Sequence, residues 1–195
     1  MVTTATALTT PSPTSVFHQP QPLNIDVPPG DNGSHDLKRS PVKLLIPTLN
    51  VSAPVEALGV TRDYALEAPA GVSNVAWYRL GAIPGNPGDA IISGHRGYPG
   101  GVPAVFNNLG RLKPGDELDV LLADGSTVRF AVDRIFSTPS KDIPAGFFAT
   151  DGPARLTLVT CTGQFRTTDL TYADRLVVQA SSIAGNFHGN YQGVN

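Results

Sequence analysis

The sequence is short of charge and of long apolar runs. Charged residues make up 15% of the 195 residues and the formal net charge is −2, so the chain lacks the basic surface that electrostatic binding to nucleic acid requires. The sequence contains no polybasic run of the kind that would indicate a lipid-binding surface. No apolar stretch reaches the roughly 18 residues of a transmembrane helix. The start, MVTTATALTT, has no basic segment followed by an apolar one and does not predict a signal peptide.

Cysteine is also nearly absent, since Cys161 is the only one. This excludes an intramolecular disulfide and a zinc site built from several cysteines. Cys161 ends the apolar run LTLVT, where a lone cysteine is usually a buried, inert thiol. The alternative is a reactive thiol, and the cysteine count does not decide between the two.

Proline, glycine, serine and threonine divide the chain into three parts. Residues 1–40 contain PSP, QPQP and VPPGDNGS without hydrophobic periodicity, which predicts a flexible linker or stalk. The alternative is that part of it, PLNIDVP, packs on the domain. Residues 41–182 hold the apolar runs and predict one domain of ordinary size. Residues 183–195 predict a C-terminal tail.

Short apolar runs separated by turn signals predict a mostly β domain. On both sides of Asp124-Gly125, apolar and polar residues alternate, which predicts a two-stranded hairpin with a tight turn. Only the segment 102–109, VPAVFNNL, has helical character. Such a pattern favours an all-β barrel or sandwich. Further strands are predicted at 42–47 with its continuation 51–58, at 89–95, at 155–161 and at 175–180.

His95 and Cys161 each follow an apolar run, where a strand meets a loop. Of the four histidines, only His95 lies in the predicted domain. A barrel holds such residues rigidly at its edge while leaving them accessible. A thiolate can attack a carbonyl carbon, and an imidazole can protonate the departing amine. The pair therefore indicates a candidate nucleophilic site, against the alternative that both residues are structural.

Arg175 is the third candidate. If the strands 155–161 and 175–180 are antiparallel neighbours, about 4.8 Å apart, the end of the first lies beside the start of the second. A guanidinium there would stabilise a thiolate and donate hydrogen bonds to an oxyanion. Arg166 is a competing candidate for the same role.

The residues around these positions resemble the sortases, the cysteine transpeptidases of Gram-positive bacterial surfaces. The stretch TLVTC, ending at Cys161, matches the family signature Thr-Leu-x-Thr-Cys. SGHRG carries the family's histidine at His95, and DRLVV carries its arginine at Arg175. The three motifs follow the family's order over roughly residues 41–181. VKLLIPTLNVSAPVEALGV and AWYRLGAIPGNPGDAIISGHRG are most similar to the actinobacterial class F group, with class E as the nearest rival.

The resemblance implies an eight-stranded β-barrel with short helices and a catalytic set of His95, Cys161 and Arg175. It also implies that Thr160 lines the substrate groove, although a strand residue with a local hydrogen bond is an equal alternative. The implied reaction cleaves an LPxTG-type C-terminal sorting signal between Thr and Gly. The acyl group is then joined to an amine of a peptidoglycan precursor or another acceptor. Neither a metal nor another cofactor is implied.

The resemblance also places the protein at the extracellular face of the cell membrane, in the cell envelope. Sortases usually carry an N-terminal membrane helix before a linker, and this sequence shows the linker without the helix. The loop at 137–154 is expected to form a wall of the substrate groove. Its apolar lining would come from Ile143, Pro144, Phe147 and Phe148, unless these aromatics only hold the loop in place.

Two rival functions and one protonation question stay open. A papain-like cysteine hydrolase usually has its cysteine at a helix N-terminus and an Asn or Asp as third member, whereas Cys161 follows a β-run. A secreted β-rich binding module with an incidental cysteine is the non-enzymatic alternative. Cys161 and His95 would titrate as a coupled pair, so that thiol–imidazole and thiolate–imidazolium resting states are both possible.

Overall fold

The computed structural model describes residues 23–24, 37–62, 65–98, 101–142, 144–167 and 171–183. These residues form short and long β-strands and three 3₁₀ helices, with no α-helix among them. The 3₁₀ helices are Leu37–Arg39, Pro47–Leu49 and Leu109–Arg111. The strands are β1 (Leu23–Asn24), β2 (Pro41–Ile46), β3 (Val51–Leu58), β4 (Ala65–Leu66), β5 (Val75–Tyr78), β6 (Asp89–Gly94), β7 (Gly97–Tyr98), β8 (Val102–Pro103), β9 (Glu117–Leu122), β10 (Thr127–Pro139), β11 (Arg155–Arg166) and β12 (Thr171–Ser182).

Eight of these strands close into a barrel in the order β10-β12-β11-β6-β5-β3-β2-β9. Two neighbouring pairs are parallel, β3 with β5 and β6 with β11, and the others are antiparallel. The prediction of a mostly β, eight-stranded barrel is confirmed. Because a closed barrel leaves no unpaired strand edge, its backbone is a rigid support for side chains at its surface.

The two faces of the barrel wall carry two separate hydrophobic clusters. Alternate residues such as Leu156, Leu158 and Val178 point into the barrel and are fully buried there with Phe130. Burying each such side chain contributes about 1.5–3 kcal/mol. The intervening residues point outward, and some of them form a second cluster on the outer face. Its buried members are Leu66, Tyr78, Ile91, Phe147, Val159 and Val177.

The expected helix at 102–109 is wrong. Val102–Pro103 is a short strand, the residues after it are turns, and the 3₁₀ helix begins only at Leu109. The amide of Ala104 donates to the carbonyl of Arg96 at 3.2 Å, and that of Phe106 donates to the carbonyl of His95 at 2.9 Å. Within the segment the amides of Asn107 and Leu109 donate to the carbonyls of Ala104 and Phe106, which are i→i−3 turns and not the i→i−4 bonds of an α-helix.

The strand that carries Cys161 is longer than expected. The sequence predicts its end at Cys161, but β11 continues to Arg166 with a register shift between Thr162 and Phe165. Gly163 lies in this bulge with φ 75°, and a Cβ on it would overlap the carboxylate of Asp174. The bulge is why the polar residues after Cys161, which indicate a loop, still belong to a strand.

Two residues of the predicted linker pair with the domain. Leu23 lies opposite Leu66 and Asn24 opposite Ala65, which is the packing weighed as the alternative for PLNIDVP. The rest of that segment up to residue 36 and the tail from residue 184 lie outside the described residues, as do His18, His35 and His188. No helix in the described part of the chain is long and apolar enough to cross a membrane.

Replacing Asp89 with asparagine is expected to remove a pH dependence of stability. The carboxyl group is 2% exposed, accepts a hydrogen bond from Thr157 at 2.8 Å, and burial raises its pKa to about 6. An acid with a higher pKa in the folded state binds a proton on folding. Its stabilising contribution is therefore full below about pH 4 and lost as the pH rises through about 6.

Between pH 4 and 7 the wild type should lose up to about 3 kcal/mol of unfolding free energy relative to Asp89→Asn. Urea unfolding at several pH values measures this difference. Asp151→Asn, at an exposed carboxylate, is the control and should follow the wild type. Parallel curves for the wild type and Asp89→Asn would contradict the expectation.

Candidate active site

Three strands bring the predicted site residues together. In the parallel pair β6 and β11, Val159 lies opposite Ser93, and two residues further along each chain come Cys161 and His95. In the antiparallel pair β11 and β12, Cys161 lies directly opposite Arg175. The prediction that the strands carrying Cys161 and Arg175 are antiparallel neighbours is thus confirmed.

The site lies on the outer face of the barrel wall. Because side chains alternate along a strand, Cys161 shares the outward face of β11 with Val159, and Arg175 shares that of β12 with Val177. Cys161 is partly exposed, whereas Arg175 is 4% and His95 7% exposed. Cys161 lies within β11 and not at its end, so the strand backbone fixes the side of the barrel wall toward which the thiol points.

His95 follows the last residue of β6 and is fixed from two sides. Its carbonyl accepts the amide hydrogen of Phe106. Just before it, the carbonyl of Gly94 accepts a hydrogen bond from the Thr160 hydroxyl at 2.8 Å. A Cβ on Gly94 would lie 2.6 Å from the ring of Phe106, so that only glycine allows this close packing beneath His95.

The imidazole ring of His95 is oriented by the backbone. Its Nε2 lies 3.0 Å from the carbonyl oxygen of Pro69. A carbonyl oxygen can only accept, so Nε2 carries a hydrogen and donates it. In the neutral ring Nδ1 is then unprotonated, and Nδ1 is the atom that gains and loses a proton.

Residues 66–69, which we call the covering segment, lie over Cys161 and His95. The cavity between them has a volume of about 30 Å³, which is room for water molecules and not for a peptide. The covering segment is tied to the end of β3, where Glu67 Oε2 accepts the amide hydrogen of Gly59 at 2.9 Å. The cavity is lined by Leu66, Glu67, Ala68, Pro69, Ser93, Gly94, His95, Val159, Thr160 and Cys161.

Arg175 is anchored by carbonyl groups of its own strand. Its Nη1 donates to the carbonyls of Tyr172 and Asp174, each at 3.1 Å. Burial raises the pKa of Cys161, and the charge of Arg175 opposes this, with a smaller effect of Arg96 in the same direction. Arg96 was not singled out from the sequence, although it directly follows His95 in SGHRG.

Burial favours the uncharged forms of Cys161 and His95 in this closed arrangement. Burial raises the pKa of Cys161 above its ordinary value, against the opposing charges of Arg175 and Arg96. Burial likewise lowers the pKa of His95, against the hydrogen bond to Pro69 and the charge of Glu56. Both shifts favour the thiol–imidazole pair over the ion pair while the covering segment is in place.

The remaining candidates are placed as follows. Thr160 lines the cavity, but its hydroxyl is committed to Gly94 on the barrel side. In the loop at 137–154, the rings of Phe147 and Phe148 meet edge to face, with their centroids 5.3 Å apart. The ring of Phe148 also meets that of Tyr78 edge to face, at 5.5 Å between centroids. These aromatics hold the loop on the second cluster and are not among the residues that line the cavity. Ile143 lies outside the described residues.

A larger cavity of about 770 Å³ shares no residue with this site. It lies between the 3₁₀ helices at Pro47–Leu49 and Leu109–Arg111, and its lining has no cysteine or histidine. Within the described ranges, no group of three or more His, Cys, Asp or Glu could hold a metal ion. The chemistry that the described residues offer is therefore concentrated at Cys161 and His95.

The covering segment and Glu56 escaped the sequence analysis. Glu56 lies on β3, and its carboxylate accepts the amide hydrogen of Ala70 at 3.1 and 3.2 Å and a hydrogen of Asn74 Nδ2 at 2.7 Å. Nothing in the local pattern VSAPVEAL distinguishes Glu56 from a solvent-facing strand residue. Only the pairing of β3 with β5, which places Glu56 opposite Ala76, brings it to this site.

Comparisons with known proteins concern the sequence, the fold and the family. No curated protein sequence matches the chain. Sortase C of Streptococcus pneumoniae is 22% identical, with a TM-score of 0.56 over 74% of this chain and 66% of that one. Sortase C1 of Streptococcus agalactiae is 25% identical, with a TM-score of 0.57 over 73% and 67%. The chain thus spans about two thirds of the length of these structures.

The family comparison covers most of the chain. The model of the Sortase domain matches residues 44–183, which include all eight barrel strands except the first three residues of β2. The matched region contains His95, Cys161 and Arg175. The chain therefore belongs to the sortase family.

Proposed function

We propose that this protein is a cysteine transpeptidase that cleaves an LPxTG-type sorting signal between Thr and Gly and joins the acyl group to an amine of the cell wall. The observation that carries the proposal is the placement of Cys161, the only cysteine, opposite Arg175 and beside the histidine that follows β6. Membership of the sortase family supports the same reaction class.

The first half of the reaction forms an acyl-enzyme. The thiol of Cys161 gives its proton to Nδ1 of His95, and the thiolate attacks the carbonyl carbon of the signal's threonine. Arg175 stabilises the oxyanion that develops. The C–N bond to glycine then breaks, and the departing amine takes a proton from Nδ1 of the His95 imidazolium. The product is a thioester on Cys161 and a free C-terminal fragment.

The second half transfers the acyl group. An incoming amine attacks the thioester carbon and gives a proton to Nδ1 of His95, the C–S bond breaks, and the thiolate is restored. Water can replace the amine and gives slow hydrolysis. Cys161 is partly exposed, and the cavity of about 30 Å³ beside it has room for water and not for a peptide.

The class and the location belong to the same proposal. The stretches around SGHRG favour class F over class E, and the cell envelope is the expected location. The amine is a peptidoglycan precursor in the housekeeping form of the reaction. A pilin lysine is the other acceptor to test, since the sortase C of Streptococcus pneumoniae is known for its pilin substrate specificity.

The test is incubation with LPxTG and LAxTG peptides, with and without a glycine amine, followed by mass spectrometry. A transpeptidase gives a peptide–amine adduct that depends on the amine. A hydrolase gives the same cleaved acid with or without it, and a binding module leaves both peptides intact. Either of the last two results would overturn the proposal.

A further inference from the structure

One peptide group connects a carboxylate to the histidine of the site. The carbonyl of Pro69 accepts the Nε2 hydrogen of His95 at 3.0 Å. The amide hydrogen of the next residue, Ala70, is donated to both carboxylate oxygens of Glu56 at 3.1 and 3.2 Å. These two hydrogen bonds lie on the two ends of the same Pro69–Ala70 peptide bond.

Glu56 is held in place to make this contact. It is half-buried on β3, within the parallel pair with β5, and it also accepts a hydrogen of Asn74 Nδ2 at 2.7 Å. Asn74 directly precedes β5, and its amide hydrogen is donated to the carbonyl of Gly71 at 3.4 Å. The carboxylate thus closes the loop from Pro69 to Asn74 against the barrel.

The physical link runs through the peptide group. Its N–H and C=O are coupled by resonance, so a negative charge that accepts from the N–H makes the carbonyl oxygen a stronger acceptor. That oxygen faces Nε2 of His95, where a positive charge appears when Nδ1 is protonated. A carboxylate acting directly on a histidine is the usual form of this arrangement. Here one peptide bond is inserted between the two groups.

We propose that Glu56 is a positioning residue that acts on His95 through the Pro69–Ala70 peptide, orienting the ring with Nε2–H toward the carbonyl and offsetting the charge of the imidazolium. The role rests on the proposed transpeptidase function. It explains why a half-buried carboxylate accepts from the backbone next to the covering segment. The charge of Glu56 also raises the pKa of His95, against the larger effect of burial.

Other titratable or charged groups lie near His95, and their effects have to be separated from that of Glu56. Glu67 and Cys161 line the cavity with His95. Arg96 follows His95 directly, and Arg175 lies opposite Cys161. Of these carboxylates, Glu56 is the one that holds the peptide bonded to Nε2, whereas Glu67 is bonded to Gly59.

The test is Glu56→Gln, which keeps the shape and one acceptor oxygen and removes the charge. NMR titration of the full chain with labelled histidine should show the His95 pKa lowered by about 0.5–1 unit. The value of kcat/KM for transfer should fall roughly tenfold, mostly through kcat, because a smaller fraction of His95 is protonated and ready to donate while the contacts to the peptide are unchanged. Glu56→Asp keeps the charge, so the His95 pKa in this variant should lie close to the wild-type value.

Glu117→Gln is the matched control, since Glu117 is exposed on β9 and paired with Arg129 at 3.3 Å. It should leave both the His95 pKa and the transfer rate unchanged. A His95 pKa that is the same in Glu56→Gln and the wild type would overturn the proposal. A lowered pKa in a protein whose wild type transfers no peptide would support the link and refute the transpeptidase function instead.

Discussion

Cys161→Ala is expected to reduce peptide cleavage and transfer to the background rate. Cys161 is the only cysteine in the chain, so the variant has no thiol that could form an acyl-enzyme. The remaining groups, His95 and Arg175, can polarise a carbonyl but cannot replace the nucleophile. The measurement is the rate of adduct formation with the peptide and amine described above.

The fold of Cys161→Ala should be intact, which separates loss of chemistry from loss of structure. The side chain is partly exposed and lies on the outer face of β11, so removing one sulfur costs about 1 kcal/mol. Thermal unfolding measures this cost. Mass spectrometry of the intact protein should show a peptide thioester on the wild type and none on the variant. Residual transfer by Cys161→Ala would mean that another residue is the nucleophile.

Arg175→Ala is expected to lower kcat/KM by roughly 10²–10³-fold, the usual cost of losing an oxyanion donor. Arg175 lies opposite Cys161 in the β11–β12 pair, and its charge opposes the burial that raises the pKa of the thiol. Its removal should therefore also raise the pKa of Cys161 further. The pH dependence of Cys161 alkylation by iodoacetamide measures the second effect independently of catalysis.

Arg175→Lys separates the charge of Arg175 from its geometry. Lysine keeps a positive charge near the sulfur but lacks the planar guanidinium that Nη1 anchors to the carbonyls of Tyr172 and Asp174. Alkylation should be nearly normal in this variant, while transfer remains impaired. Because Arg175 is 4% exposed, each variant requires an unfolding curve as well.

Arg166→Ala is the control for this assignment. Arg166 pairs with Thr171 further along β11, beyond the bulge that follows Cys161. Its loss should change transfer little. Near-full activity of Arg175→Ala together with a large loss in Arg166→Ala would move the oxyanion role to Arg166.

The small cavity and the shifts in the pKa values of Cys161 and His95 determine the state from which the reaction starts. Burial favours the neutral thiol and the neutral imidazole, so the reactive ion pair is disfavoured while the covering segment lies over Cys161. The carbonyl of Pro69 lies 3.0 Å from Nε2 of His95 in this arrangement. The Glu56 contact to Ala70 keeps that carbonyl near the barrel, next to β3.

Local patterns in the sequence determined the strands and the order of the site residues. The alternation in 117–135 and the Val, Leu and Thr content of 155–161 depend only on neighbouring residues, because side chains alternate along a strand wherever it pairs. The same property gave Cys161 and Arg175 as cross-strand partners, since two strands close in sequence pair most simply as an antiparallel hairpin. The motif TLVTC indicated Cys161 as the candidate nucleophile.

Tertiary structure decided what the local pattern does not encode. β5 was missed because both of its faces are buried, with Trp77 in the barrel and Tyr78 in the outer cluster, so no alternation is visible. The segment 102–109 does not form an α-helix. Its amides instead donate hydrogen bonds to the carbonyls of His95 and Arg96, which only the folded chain places beside it. The covering segment and the Glu56 contact depend on the parallel pairing of β3 with β5, and distant strands find their register only through the packing of the whole barrel.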